Sequence, residues 1–150
     1  MRSFLLVVIL HCLAGVSFAA MRDEPREFMG IPFGKEFTPD NSFACELDSE
    51  EGLRCTRASD DLHLHGVPIT SLIYLFMYKR LFTVDVEVEG RENYDKLAAA
   101  IAKRHGKAVQ AQSGMISYTG GQVDILLYYD ASRHAGEISY VFKNLPCPVE

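Results

Sequence analysis

The chain has 150 residues, 48% of them hydrophobic, with 15 basic and 20 acidic side chains and a net charge of −5. That length holds one domain with one hydrophobic core. The acidic balance argues against nucleic acid or an anionic membrane surface as partner, and no apolar run reaches the roughly 20 residues of a membrane-spanning helix.

Met1-Arg2-Ser3 is a short basic start, Phe4 to Leu10 is unbroken apolar sequence, and Ser17-Phe18-Ala19 puts small residues where a signal peptidase reads. This is the layout of a secretory leader over residues 1–19, which predicts a mature single domain over residues 20–150, exported to the periplasm or the extracellular space. Losing Arg2 takes the net charge from −5 to −6. Cys12 leaves with the leader. Cys45 and Cys55 flank a polar, turn-like stretch and are expected to form a structural disulfide; a redox pair would usually have two residues between the cysteines. Cys147 is left over in the tail, free or paired elsewhere.

Ala20 to Glu27 reads as a flexible start. FMGIPFG, Phe28 to Gly34, reads as a short strand or bulged edge entering a turn. Phe37 to Leu53 reads mostly as loop, with Pro39-Asp40-Asn41-Ser42 as a turn cluster. Ser59 to Val67 carries a short strand around Leu62-His63-Leu64. Ser71 to Tyr78 is a strand with apolar residues on both faces. Lys79-Arg80 is a tight turn. Leu81 to Glu89 alternates, with Phe82, Val84, Val86 and Val88 inward and Thr83, Asp85, Glu87 and Glu89 outward.

Asn93 to His105 is the one convincing helix. Tyr94, Leu97, Ala98 and Ile101 make its apolar stripe, Asn93 is the expected N-cap, and Gly106 is the stop. Met115 to Thr119, Gln122 to Asp130 and Glu137 to Lys143 are strands. Gly120-Gly121 reads as a two-residue hairpin turn with positive φ, and Ala131 to Gly136 as a loop. The expected fold is α+β, an antiparallel β-sheet of about five or six strands packed against one main α-helix. One helix does not obviously cover two doubly apolar strands. The aromatic face therefore needs a further cover, either the Phe28 to Phe43 segment or a partner.

FMGIPFG, followed by a loop and then DDLHLHGVPITSLIYLFMYKRLFTVDVEVEGRENYDKLAAAIAKRHG, resembles small exported bacterial proteins of uncharacterised function. The likeness covers Phe28 to Gly34 and Asp60 to Gly106, and its motifs mark turns and core positions. It implies a bacterial, exported α+β domain and transfers no catalytic residue.

His63 and His65 are the strongest candidate for chemistry. Two histidines one residue apart on a strand point to one side and can grip Zn²⁺ or Cu²⁺, with Asp60, Asp61, His105 or His134 to complete a shell. Leu-His-Leu-His alternation fits a solvated strand face equally well, so no metal and no cofactor is expected. Asp85, Glu87 and Glu89 share one open face rather than the differing environments of an acid/base pair. The leading expectation is a non-enzymatic exported binding protein, its partner another envelope protein or a second copy. Two alternatives are a small metal-dependent hydrolase built on His63 and His65, and an inhibitor of a secreted enzyme inserting Ala131 to Gly136 or the Cys45–Cys55 loop.

Overall fold

The computed structural model describes residues 20–111 and 113–146; the leader over residues 1–19 and Cys147 lie outside them. Glu27–Phe28 (β1) pairs with Ile31–Pro32 (β2). Phe43–Leu47 (β3) and Gly52–Arg57 (β4) form a hairpin. His63–Leu64 (β5) pairs with Val67–Pro68 (β6). Ser71–Met77 (β7) and Arg80–Glu89 (β8) follow, then the helix Arg91–His105 (α1). Val109–Gln110 (β9), Ile116–Thr119 (β10), Val123–Asp130 (β11) and Ala135–Phe142 (β12) complete the chain.

Eight strands make one antiparallel sheet in the order β3-β4-β7-β8-β12-β11-β10-β9. Two four-stranded meanders meet where β8 pairs with β12, and α1 is the connection between them. The expected α+β class is therefore corrected. The protein is β-rich, with an eight-stranded sheet, two small two-stranded sheets and a single helix of 15 residues among the described residues.

Three strands of the large sheet were missed, β3 and β9 at its edges and β4 inside it. β3 falls in the stretch read as loop, because all but the first of its residues are exposed and no apolar alternation marks it. β9 is two exposed residues, too short to carry a period. An edge strand is specified by its neighbour's hydrogen bonds, and these leave little trace in its own composition.

The helix also shares its task. The aromatic face is covered in part by the segment from Phe28 to Phe43, the first residue of β3. Phe28 packs edge-on against Tyr74 and Tyr140, at 6.4 and 4.9 Å between centroids. Phe37 stacks on Phe76 at 5.6 Å, and Phe43 meets Tyr74 at 5.8 Å. Such pairs add about 0.5–1.5 kcal/mol each beyond burial. Ile31 and Phe33 join the same core. The opposite face of the sheet has no covering element among the described residues. There Ile73, Leu75 and Met77 are half-buried, Ser139 donates to Asp85 at 2.6 Å, and Arg133 bridges Glu87 and Glu137.

Tyr94, Leu97 and Ile101 form the buried helix stripe as expected, and His105 extends it by one more turn. The helix starts at Arg91, so Gly90 rather than Asn93 is the cap residue. That early start lets Glu92 pair with Lys96 at 2.6 Å. In β8 the alternation slips once. A bulge opposite Leu75 and Phe76 makes Phe82 the extra residue, so Leu81 takes the inward position and Phe82 is half-buried; a bulge adds one residue against one partner.

Cys45 and Cys55 are directly opposed in the β3–β4 register and joined, with S–S 2.04 Å. An intramolecular disulfide is consistent with an oxidising compartment. Closing a loop with a sequence separation of 10 limits the unfolded chain and is worth about 2.5 kcal/mol on the chain-entropy account. Replacing both cysteines with serine is therefore expected to lower the unfolding free energy from urea melts by about 2.5 kcal/mol. Because β3 is an edge strand, the far-ultraviolet spectrum of the folded variant should be unchanged.

Candidate functional site

The segment from Met21 to Glu24, read as flexible, is a strap. Met21 N–H donates to the Thr119 carbonyl at 3.0 Å, and Arg22 N–H to the His105 carbonyl at 2.9 Å. Asp23 accepts from Arg104 Nε at 2.7 Å. Glu24 reaches the β10–β11 turn, where its carboxylate accepts from the backbone N–H groups of Gly121, Gln122 and Val123 at 2.9, 2.5 and 2.6 Å. Neither Gly120 nor Gly121 has positive φ, contrary to expectation. The turn instead aims three successive amides at one anion, a backbone nest.

Burial opposes charge on Glu24. The amides of Val123, Gln122 and Gly121, with Lys143 nearby, outweigh it and hold the carboxyl below the ordinary glutamate value. A depressed carboxyl stabilises the fold above its unfolded pKa and loses that contribution as pH falls through its folded value. Glu24→Gln is therefore expected to lower the melting temperature above about pH 5, with the gap to the parent closing on acidification. A gap that stays constant from pH 7 to pH 3 would show that charge is not involved.

Between the strap, β1–β2, the β5–β6 hairpin and the C-terminal end of α1 lies a cleft of about 1250 Å³. Its floor includes Phe28, Phe33, Val123 and Tyr140, and its walls carry Arg26, Glu27, Lys35, His65 and Arg104. Arg26, Glu27 and Lys35 make no ion pair among the described residues, whereas Arg104 is joined through Nε to Asp23. His105 is buried, lines the cleft and lies 3.2 Å through Nδ1 from the Arg22 carbonyl, so a proton on Nδ1 suits it best. Tyr140 is 3% exposed. Its hydroxyl bonds to no described residue, yet no buried side-chain oxygen or nitrogen is left unpaired, so the hydroxyl opens on the cleft.

The sheet architecture dictates this convergence. β12 projects Tyr140 from the sheet's covered face between Ile138 and Phe142, every second residue pointing the same way. α1 delivers Arg104 and His105 in its last turn, above that face. Of the two, His105 was expected as one of the residues that could complete a metal shell. Arg26 and Lys35 flank FMGIPFG, and the charge bracketing an apolar glycine-rich motif was the signal available in the sequence.

The histidine pair comes apart. His63 sits on β5 with Nδ1 2.7 Å from Asp61 and is exposed. His65 is the first residue of a two-residue turn, with φ 51° followed by 77° at Gly66. Positive φ at both positions marks the tight hairpin turn, and the strand alternation that would align the two rings ends before His65. His65 instead lines the cleft, where burial and then the charges of Arg104 and His105 push its pKa down. No group of three or more His, Cys, Asp or Glu side chains is arranged to hold a metal among the described residues.

Asp60, also a candidate ligand, is committed elsewhere. It accepts from Arg57 Nε at 2.6 Å and from the Tyr74 hydroxyl at 2.7 Å. It belongs to a second hollow of about 470 Å³, whose charged residues are thus already paired. His134 sits in the turn before β12 with φ 53°. In that turn Asp130 accepts from Ser132 and Arg133, which makes a compact loop.

Comparison with protein-family models, with curated proteins and with solved structures gives no match. The fold and the site define a small β-rich protein with one large cleft of mixed charge. No helix among the described residues is long and apolar enough to cross a membrane.

Proposed function

We propose that the chain is an exported binding protein that holds a polypeptide segment in the cleft. The size and lining of the cleft carry this reading. About 1250 Å³ exceeds the roughly 300–1000 Å³ typical of small-ligand pockets. Aromatic rings on the floor suit side chains of a partner, and unpaired charges on the wall suit its polar groups. The leader-like start and the disulfide support export, with another envelope protein as the partner. The separation of His63 from His65 weighs against a hydrolase built on that pair.

Photocrosslinking in the exporting cell tests the reading. A photoreactive phenylalanine replaces Gln122, which is exposed beside the cleft, or Tyr128, which is exposed on the opposite sheet face. Adducts with a discrete protein are expected from position 122 and not from position 128. Adducts from position 128 alone, or none from either, would overturn it.

A further inference from the structure

The outer edge of β3 is an open hydrogen-bonding ladder. β3 ends the eight-stranded sheet and pairs with β4 alone. Cys45 and Cys55 are 4.1 Å apart at Cα, the close spacing of a pair that exchanges no backbone hydrogen bonds. Two flanking bonds fix the same phase. The Ser42 carbonyl accepts from Ala58 at 3.4 Å, and Asp48 N–H donates to the Gly52 carbonyl at 3.0 Å. Ala44 and Glu46 therefore bond to β4, whereas Phe43, Cys45 and Leu47 turn their backbone groups outward. Phe43 N–H is taken by the Asp40 carbonyl at 3.0 Å. The N–H groups of Cys45 and Leu47 and the carbonyls of Phe43 and Cys45 meet no partner among the described residues.

Little blunts this edge. Phe43–Leu47 has no Lys, no Pro and no shift of register, the devices that usually keep edge strands apart. Its one charge, Glu46, lies 3.8 Å from Arg54 of β4. The disulfide to β4 already holds the strand in place, so pairing costs it little further order. Leu47 is 79% exposed, more than any other large apolar side chain among the described residues.

We propose that β3 pairs with itself: two copies of the chain join antiparallel about a two-fold axis at Cys45, which makes one continuous sheet of both. The strand is complementary to itself in that register. Each Cys45 exchanges hydrogen bonds with Cys45 of the second copy, and each Leu47 N–H donates to the other copy's Phe43 carbonyl. Phe43 of one copy stands opposite Leu47 of the other on the covered face, so the exposed leucine meets a ring. Ala44 stands opposite Glu46 on the open face, and no like charges are directly opposed. The two Glu46 carboxylates fall on a diagonal about 7–8 Å apart, each beside its own Arg54. A two-fold contact of this kind closes at two copies. A ladder of five residues buries less than a permanent dimer does, so the association depends on concentration. No residue of β3 lines the cleft, and the pairing is independent of what the cleft holds.

Sedimentation velocity and amide exchange test this, on mature protein carrying Cys147→Ser so that no tail disulfide links two copies. The mass is expected to rise with concentration and stop at two chains. The Cys45 and Leu47 amides should exchange more slowly as the dimer forms, while those of Ala44 and Glu46 are protected at every concentration. Leu47→Pro removes an outward donor and the exposed side chain but no hydrogen bond within the chain. It should weaken dimerisation at least about tenfold, and Leu47→Lys should weaken it with the backbone donor intact. Both variants should melt where the parent monomer melts. Val109→Lys, on the opposite edge strand and 56% exposed in the parent, should dimerise as the parent does.

Protein that is monomeric at every concentration would overturn the proposal, as would a dimer indifferent to both Leu47 variants. A mass that grows past two chains, or a dimer lost in Val109→Lys, would overturn it in favour of head-to-tail pairing of β3 with β9.

Discussion

Asp60→Ala is expected to destabilise the protein by about 3–5 kcal/mol, the range for removing one partner of a buried ion pair. The Asp60 side chain is 3% exposed and faces Arg57 at 19%. Arg57 also donates to the Met29 carbonyl at 3.2 Å and lies over the rings of Phe43 and Tyr74 at 5.4 and 5.6 Å. Tyr74 is fully buried, and its hydroxyl donates a hydrogen bond to Asp60 at 2.7 Å. Burial, followed by the Asp60 carboxylate, pushes the Tyr74 pKa upward, so the phenol remains a donor.

Without Asp60, a guanidinium and a phenol are left in the interior with no counter-charge. Urea unfolding should show a large drop in midpoint with little change in slope. The double variant Arg57→Met, Asp60→Leu should recover most of the loss, because no charge is then stranded. If Asp60→Ala costs less than 1 kcal/mol, water reaches the pair and it is not buried in solution.

Gly34→Ala is expected to cost about 2–5 kcal/mol from two sources. Gly34 has φ +67°, and a Cβ there would lie inside the Phe142 ring. The left-handed backbone costs about 1–2 kcal/mol for an L-residue, and overpacking adds about 1–3 kcal/mol. Gly34 N–H also donates to the Leu81 carbonyl at 3.0 Å, and its own carbonyl accepts from Arg80 at 2.6 Å. The segment cannot easily lift away to make room. Gly30→Ala makes the control. It has φ +83° with no atom within 4 Å of a new Cβ, so it should lose only the backbone part. Equal losses in the two variants would mean that the Phe142 ring moves aside freely.

Local pattern was enough for the elements that alternate or repeat over many residues. The stripe of Tyr94, Leu97 and Ile101, the inward Val84, Val86 and Val88, and the inward Ile138, Tyr140 and Phe142 were all legible, because each repeats the period of its own element. The Cys45–Cys55 disulfide was legible as well, because the short polar stretch between the two residues has few ways to run except back on itself.

Tertiary structure alone decided the rest. β3 exists because β4 offers it hydrogen bonds, and its own residues, mostly exposed, carry no pattern. Asp60 read as a candidate metal ligand until the fold brought Arg57 and Tyr74 to it. His65 left the side of His63 because the hairpin turn needs positive φ at that point. The cleft joins residues as far apart as Arg26, Arg104 and Tyr140. Contacts at such separations depend on which strands pair and which face the helix takes. The sequence determined the pieces by local sterics and hydrophobic period; the site arose from long-range pairing that no local period records.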